Sequence, residues 1–167
     1  MTLSDAERAF VAKTAGERSG LRGVWRAATL LARVECPDAD PDRVESRIES
    51  LARELRRSPD PGDAAGRAAD LARVLGGDLG LRGDGRTYDD PRNSCLECVL
   101  DRRKGIPLTL SLLWIEAAFR RGWEAEGVGL PGHFVLRLRG RDGGEALVDP
   151  FHGGGVLTLA AAGELLR

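Results

Sequence analysis

Three short segments carry side chains that could do chemistry together. Gly105-Ile106-Pro107-Leu108-Thr109-Leu110-Ser111 opens a long apolar stretch, Pro131-Gly132-His133-Phe134 holds one of the chain's two histidines, and Val148-Asp149-Pro150-Phe151 supplies a carboxylate. A histidine that takes a proton, an aspartate that orients it, and the N–H groups of a helix start that receive developing negative charge form the frame of nucleophilic acyl chemistry. In its thiol version the helix dipole lowers the pKa of a cysteine in the first turn. Here that turn holds Pro107, which has no nucleophilic atom. Thr109 lies in the same turn, and Ser111, four residues after Pro107, lies on the same helix face. Either hydroxyl is a candidate replacement attacker, although helical serine and threonine commonly bond back to the preceding turn instead. His133 and Asp149 have a plainer reading too, as a buried polar pair that only fixes two strands.

The three cysteines, Cys36, Cys95 and Cys98, are the remaining reactive groups. Cys95 and Cys98 form an isolated Cys-x-x-Cys, which reads as a redox pair in a thioredoxin-type unit but as core beside Leu96, Val99 and Leu100. A zinc set of Cys95, Cys98, His133 and His152 can be written down, outside the usual finger spacings and at the cost of taking His133 from Asp149. Cys95 could also replace the absent attacker if the linker folded back onto His133. The favoured reading requires no metal and no cofactor. Arg102-Arg103-Lys104 suits either an anionic ligand or, more simply, a helix C-terminus. Trp114, Phe119, Trp123 and Phe134 read as core or cleft lining.

The elements that must position these groups follow from periodicity. Arg26 to Val34 has a helical stripe that stops before Cys36-Pro37. Asp40 caps a second helix with Pro41 at its first position and Val44, Ile48, Leu51 and Leu55 inward. After a Pro-Gly turn a third helix is predicted from Asp63 to Leu75, then an irregular glycine-containing connection from Gly76 to Arg92 that lacks the pattern of a phosphate loop. Ser94-Cys95-Leu96-Glu97 has the spacing of a capping box. Pro107 to Arg121 is apolar on nearly every side and ends at Gly122, so it should be a surrounded central helix. From Trp123 the period becomes alternating: a hairpin turning at Asp142-Gly143-Gly144 and centred on Asp142 puts Asp149 opposite Val135 and diagonal to His133, about 7 Å or less between Cβ atoms. A short strand is expected near Val156 to Leu159.

At 167 residues the chain can bury one proper core, and a single domain over residues 24–167 is expected after a flexible leader at 1–23. With 25 basic and 26 acidic side chains interspersed, it has no net field for nucleic acid or an anionic membrane. No signal peptide or bilayer-length apolar run is readable, so a cytoplasmic protein without membrane partners is expected. Odd, sparse cysteines in a reducing compartment argue against a disulfide framework.

The segments Tyr88-Asp89-Asp90-Pro91-Arg92-Asn93-Ser94, Arg102-Arg103-Lys104-Gly105-Ile106-Pro107, Gly127-Val128-Gly129-Leu130-Pro131-Gly132-His133-Phe134 and Asp149-Pro150-Phe151 together resemble the transglutaminase-like superfamily, most closely its bacterial SirB-like branch, over about Arg22 to Leu159. The resemblance implies an α+β, papain-like core with a central helix packed on an antiparallel sheet, here preceded by a helical half. It implies that His133 matches the family's base, Asp149 its orienting carboxylate and Pro107 the position of the attacking cysteine. The C-terminal helical repeats that often follow in SirB-like proteins exceed the length of this chain. Two functions follow as expectations. One is an amide or ester hydrolase or acyltransferase with a nucleophile other than cysteine, acting on a small-molecule or peptide substrate. The other is a noncatalytic module, a pseudoenzyme, that binds a protein partner.

Overall fold

The computed structural model describes residues 3–16 and 23–157. Helix α1 (Asp5–Gly16) lies within the segment expected as a leader. Its start is a true capping box: the Ser4 backbone N–H donates to the Glu7 carboxylate and the Glu7 N–H returns a bond to the Ser4 hydroxyl. Glu7 also pairs with Arg33 at 2.6 Å, which ties α1 to the turn just past the next helix. Residues 17–22 lie outside the described residues.

Helix α2 (Val24–Leu31) tightens into a 3₁₀ turn at Ala32–Val34 before the chain reaches Pro37. Helix α3 (Pro41–Arg56) starts as its sequence predicts, with the Asp40 carboxylate accepting from the Asp42 N–H and Val44, Ile48, Leu51 and Leu55 buried. Helix α4 (Ala64–Leu71) is capped by Asp63 but does not run on as an α-helix to Leu75; it widens into a π-helical turn from Ala72 to Asp78. The widening brings Gly76 against the Gly153 carbonyl so closely that no Cβ would fit.

Strand β1 (Arg82–Gly83) pairs in parallel with β2 (Lys104–Gly105), which flanks helix α5 (Leu96–Arg102). The capping box expected at Ser94 does not form. Cys95 is the N-cap residue without a side-chain bond, because Glu97 turns outward to accept from the Asp40 N–H at 2.8 Å and from Arg43 at 3.2 Å. A distant backbone donor and a cation together outcompete the local N–H.

Helix α6 (Pro107–Arg121) is the central helix, and Gly122 ends it in the left-handed region at φ 88°. Its residues from Thr109 to Ala118 are buried without a break, so it is covered on all sides. It packs on α3 and on a four-stranded antiparallel sheet ordered β3 (Ala125–Leu130), β4 (His133–Arg139), β5 (Glu145–Asp149) and β6 (Gly155–Leu157). The β4–β5 register, Leu136 opposite Val148, is the one centred on Asp142. This α+β arrangement of a buried helix on an antiparallel sheet agrees with the expected fold class. The expected end of the last strand, Leu159, lies outside the described residues. One hydrophobic cluster runs from Trp25 and Val44 through Leu113 and Trp114 to Leu136 and Val148, joining helices and sheet. Trp123 belongs to this core, 2% exposed, with Arg67 and Arg121 over its ring.

Candidate functional site

Two tight turns place the candidate groups. Pro131 and Gly132 close the β3–β4 hairpin, with Leu130 paired to His133, so the histidine is the first residue of its strand. Gly132 takes φ 69° there, a conformation that glycine adopts without a Cβ penalty. At the far end of β5, Asp149 caps a 3₁₀ turn (Pro150–His152), its Oδ1 accepting from the N–H of Phe151 at 2.9 Å and of His152 at 3.3 Å. This turn packs on α6 and β1.

The two turns meet on the remaining carboxylate oxygen. Asp149 Oδ2 lies 2.8 Å from His133 Nε2 and 2.7 Å from His152 Nδ1. With two imidazoles and two backbone N–H groups around it, the carboxylate has its acceptor capacity filled. Asp149 is 4% exposed. Burial is the largest single influence on its pKa and pushes it up, but the hydrogen bonds from His152 and His133 and their charges outweigh it and hold the carboxyl below the ordinary value of 3.8. His133 uses Nε2 toward the aspartate and therefore presents Nδ1 elsewhere. Its side chain is 12% exposed, whereas that of His152 is 71% exposed.

Phe151 fixes the imidazoles edgewise, its ring centre 6.1 Å from that of His133 and 5.3 Å from that of His152. Gly83 lies beneath that ring, where a Cβ would overlap it. Tyr88 closes the other side at 6.3 Å.

A second polar network holds the start of α6. Asn93 is fully buried; its amide donates to the carbonyls of Thr87 and Tyr88, and its Oδ1 accepts from Arg102. Arg102 also pairs with Asp84 at 3.1 Å and Asp90 at 3.3 Å, so it is neither a bare helix-end charge nor a free anion contact. Hydrogen bonds from the Thr87 hydroxyl and N–H hold the Asp84 carboxyl at about 2. The segments Tyr88–Ser94 and Arg102–Pro107 are thus adjacent because these bonds join them.

The two candidate hydroxyls are both buried and both face backbone carbonyls. Thr109 Oγ1 donates to Asn93 O at 2.8 Å, and Ser111 Oγ lies 3.4 Å from Phe134 O. Pro107 occupies the first helical position after the extended Ile106, and the next N–H groups, on Leu108 and Thr109, belong to the turn that has no intrahelical acceptor.

The cysteines gather elsewhere. Cys95 and Cys98 meet Cys36, with Cys36 Sγ 3.7 Å from Cys98 Sγ. The written four-ligand set of Cys95, Cys98, His133 and His152 is therefore split between two groups, and Cys95 does not fold back to His133. The sequence reading used His152 only in that set and missed its bond to Asp149. The signal was present: an aspartate capping Pro150 brings the side chain three residues on back to its own carboxylate.

Comparison with known proteins agrees with this architecture. Residues 42–167 match the profile of the transglutaminase-like superfamily. A UPF0162 protein of Xylella fastidiosa is 38% identical over 141 residues, 84% of this chain and 50% of that protein. The UPF0162 protein of Pseudomonas aeruginosa is 32% identical over 145 residues, 86% of this chain and 52% of that protein. The mouse F-box only protein 21 is 39% identical over 64 residues, 38% of this chain and 10% of that protein. The chain spans about half the length of the bacterial relatives named here. No solved structure matches it significantly. Among the described residues, no helix is long and apolar enough to cross a membrane. With a profile match over most of its length and the central helix on an antiparallel sheet that goes with it, the chain belongs to the transglutaminase-like superfamily.

Proposed function

We propose that the chain is a SirB-like hydrolase or acyltransferase for amide or ester bonds, with His133 as general base and an external nucleophile, water or a substrate amine, in place of the family cysteine. The observation that carries this reading is the 2.8 Å contact between His133 Nε2 and Asp149 Oδ2. It favours the tautomer in which Nε2–H donates to the carboxylate and Nδ1 keeps its lone pair for a proton. In the proposed reaction Nδ1 takes a proton from the nucleophile as its oxygen or nitrogen bonds to the substrate carbonyl carbon. Asp149 stabilises the imidazolium that results. The carbonyl oxygen gains negative charge and is received by the N–H groups of Leu108 and Thr109 at the start of α6. On collapse the carbon–leaving-group bond breaks, and the proton passes from His133 to the departing amine or alkoxide.

An external nucleophile suits this chain because the Thr109 and Ser111 hydroxyls already face carbonyls. It also makes Pro107 an ordinary helix starter. The alternative reading is a noncatalytic protein-binding or regulatory module. It is favoured by Pro107 at the attacker's position and by a groove of about 560 Å³ between α3 and α5, lined by Arg43, Arg47, Glu97 and Asp101. One experiment separates them: a panel of chromogenic esters, amides and acyl acceptors tested with wild type, His133→Ala, Asp149→Asn and His152→Ala. Parallel loss in the first two variants, with activity kept in His152→Ala, supports the enzyme. Silence of the wild type across the panel, or turnover that survives His133→Ala, removes it.

A further inference from the structure

The chain's three cysteines come from two separate places, and nothing in the acyl-transfer frame uses them. Cys36 ends the turn after α2, its N–H bonded to Ala32 O at 2.8 Å, whereas Cys95 and Cys98 belong to the start of α5. Their sulfurs nevertheless all lie within 4.8 Å of one another. The loop that carries Cys36 is held there by an independent clamp, the Glu97 carboxylate on the Asp40 N–H at 2.8 Å, with Arg43 on the same carboxylate. The convergence is thus fixed by hydrogen bonds that involve no sulfur.

The spacing is wider than a covalent bond and compatible with three ligands to one ion. A disulfide needs sulfurs about 2.05 Å apart. Tetrahedral zinc with Zn–S bonds of about 2.3 Å puts its sulfurs roughly 3.8 Å apart. The Cys36–Cys98 separation is 3.7 Å. Cys95 is buried, Cys36 and Cys98 are half-buried, and all three line an open cavity of about 340 Å³ whose wall also includes Glu35, Arg92 and Asp101. An ion has a route in, and water has room at a fourth position. Three thiolates on a divalent ion leave one negative charge. Arg43 and Arg92 line the same cavity, but each is paired with a carboxylate, Glu97 and Asp90 respectively, so the solvent at the fourth position, not the wall, has to screen it.

We propose that Cys36, Cys95 and Cys98 form a three-thiolate zinc site, completed by a solvent ligand, that locks the α2–α3 loop onto α5. Binding involves no oxidation: the hydrated ion enters, gives up water, and each thiol that ligates it releases its proton to solvent. The site is separate from His133, Asp149 and His152, so it stands or falls independently of the acyl-transfer reading.

The test uses the full chain, reduced, stripped with a chelator and titrated with cobalt(II), followed by displacement with zinc(II). Expected is uptake of one ion per chain with thiolate-to-cobalt charge-transfer absorption that zinc abolishes. Cys36→Ser and Cys98→Ser should each weaken zinc binding by more than the roughly 10–100-fold that loss of an outer-shell partner costs. His133→Ala and His152→Ala should bind as wild type. Circular dichroism checks the fold of each variant; should Cys98→Ser unfold, Cys36→Ser decides, because its loop is held by Glu97. The proposal is overturned if the reduced wild type takes up no ion, if Cys36→Ser keeps the charge-transfer band, or if either histidine variant loses it. A Cys36–Cys98 disulfide that persists under the same reductant and excludes the ion overturns it equally.

Discussion

Two corners of the molecule each bring together three side chains able to hold a proton or an ion, and they are satisfied in opposite ways. At the sheet end, Asp149 accepts from two imidazoles and two backbone N–H groups, so the cluster completes itself. At the helical corner the sulfurs of Cys36, Cys95 and Cys98 face one another. Burial first, and the neighbouring thiols second, push the Cys36 thiol up to about 12. A cluster of hard donors that fills its own lone pairs is suited to holding a histidine in one orientation. A cluster of thiols has no such internal solution, because a thiol is a weak donor and a weak acceptor. Breaking the first should therefore cost folding energy outright, whereas breaking the second should cost little until an ion is present.

The largest effect is expected at Asp149. Asp149→Ala leaves two part-buried backbone N–H groups and the largely buried His133 imidazole without their acceptor, and should lower stability by about 3–5 kcal/mol in urea denaturation. Asp149→Asn keeps an oxygen for the backbone and should lose less. The pH dependence has a defined sign. Because the folded carboxyl sits below 3.8, its contribution is present above the unfolded value and is lost as pH falls through the folded one. Wild type should thus lose its advantage over Asp149→Asn on acidification below about pH 4. A stability gap that stays constant from neutral to acid pH would show that the carboxylate is not held by these bonds.

Gly83→Ala attacks the same corner through packing alone. The new methyl would meet the Phe151 ring, which fixes both imidazoles, so a loss of about 1–3 kcal/mol is expected. Histidine NMR signals in this variant should shift although no polar group has changed. Unaltered signals and an unaltered urea midpoint would mean that Phe151 yields freely and does not position the histidines.

How far each corner could be read from sequence follows the range of its contacts. Helix α3 was legible because Asp40, Pro41 and the stripe from Val44 to Leu55 lie within one local window. The β4–β5 register was legible because Asp142-Gly143-Gly144 fixes the turn and the alternation fixes the faces. The meeting of His133 with Asp149 followed from that register. The α5 start was misread at Ser94 because Glu97 is taken by Asp40 and Arg43, which no local pattern reveals. The β1–β2 pair spans two residues on each side, too short for any periodicity. Cys36 joins Cys98 across 62 residues of chain, a contact that only the folded path creates. Prolonging α4 to Leu75 failed for a related reason: the π-helical turn lies where a distant carbonyl, that of Gly153, presses on Gly76.

A smaller effect is expected for Thr109→Val, which removes the hydroxyl bonded to Asn93 O while keeping side-chain shape. A loss of about 1 kcal/mol, with any acyl-transfer activity kept, fits a hydroxyl that anchors α6 to the Tyr88–Ser94 segment. Complete loss of activity in a variant that remains folded would instead make Thr109 the attacker and displace the external nucleophile.

The smallest effect should come from Cys36→Ala in reduced, metal-free protein. Cys36 is half-buried at a loop end, and its loop is tied to α5 by Glu97, so the unfolding free energy should change by no more than about 0.5 kcal/mol. The same substitution measured in excess zinc should open a wider gap, because the wild type then gains binding energy that the variant cannot. That difference between two conditions, and not the size of either value, separates an ion-holding corner from a packed one. Equal gaps with and without zinc would reduce the three sulfurs to core atoms, and the contrast with the self-completing carboxylate would then be one of packing against hydrogen bonding alone.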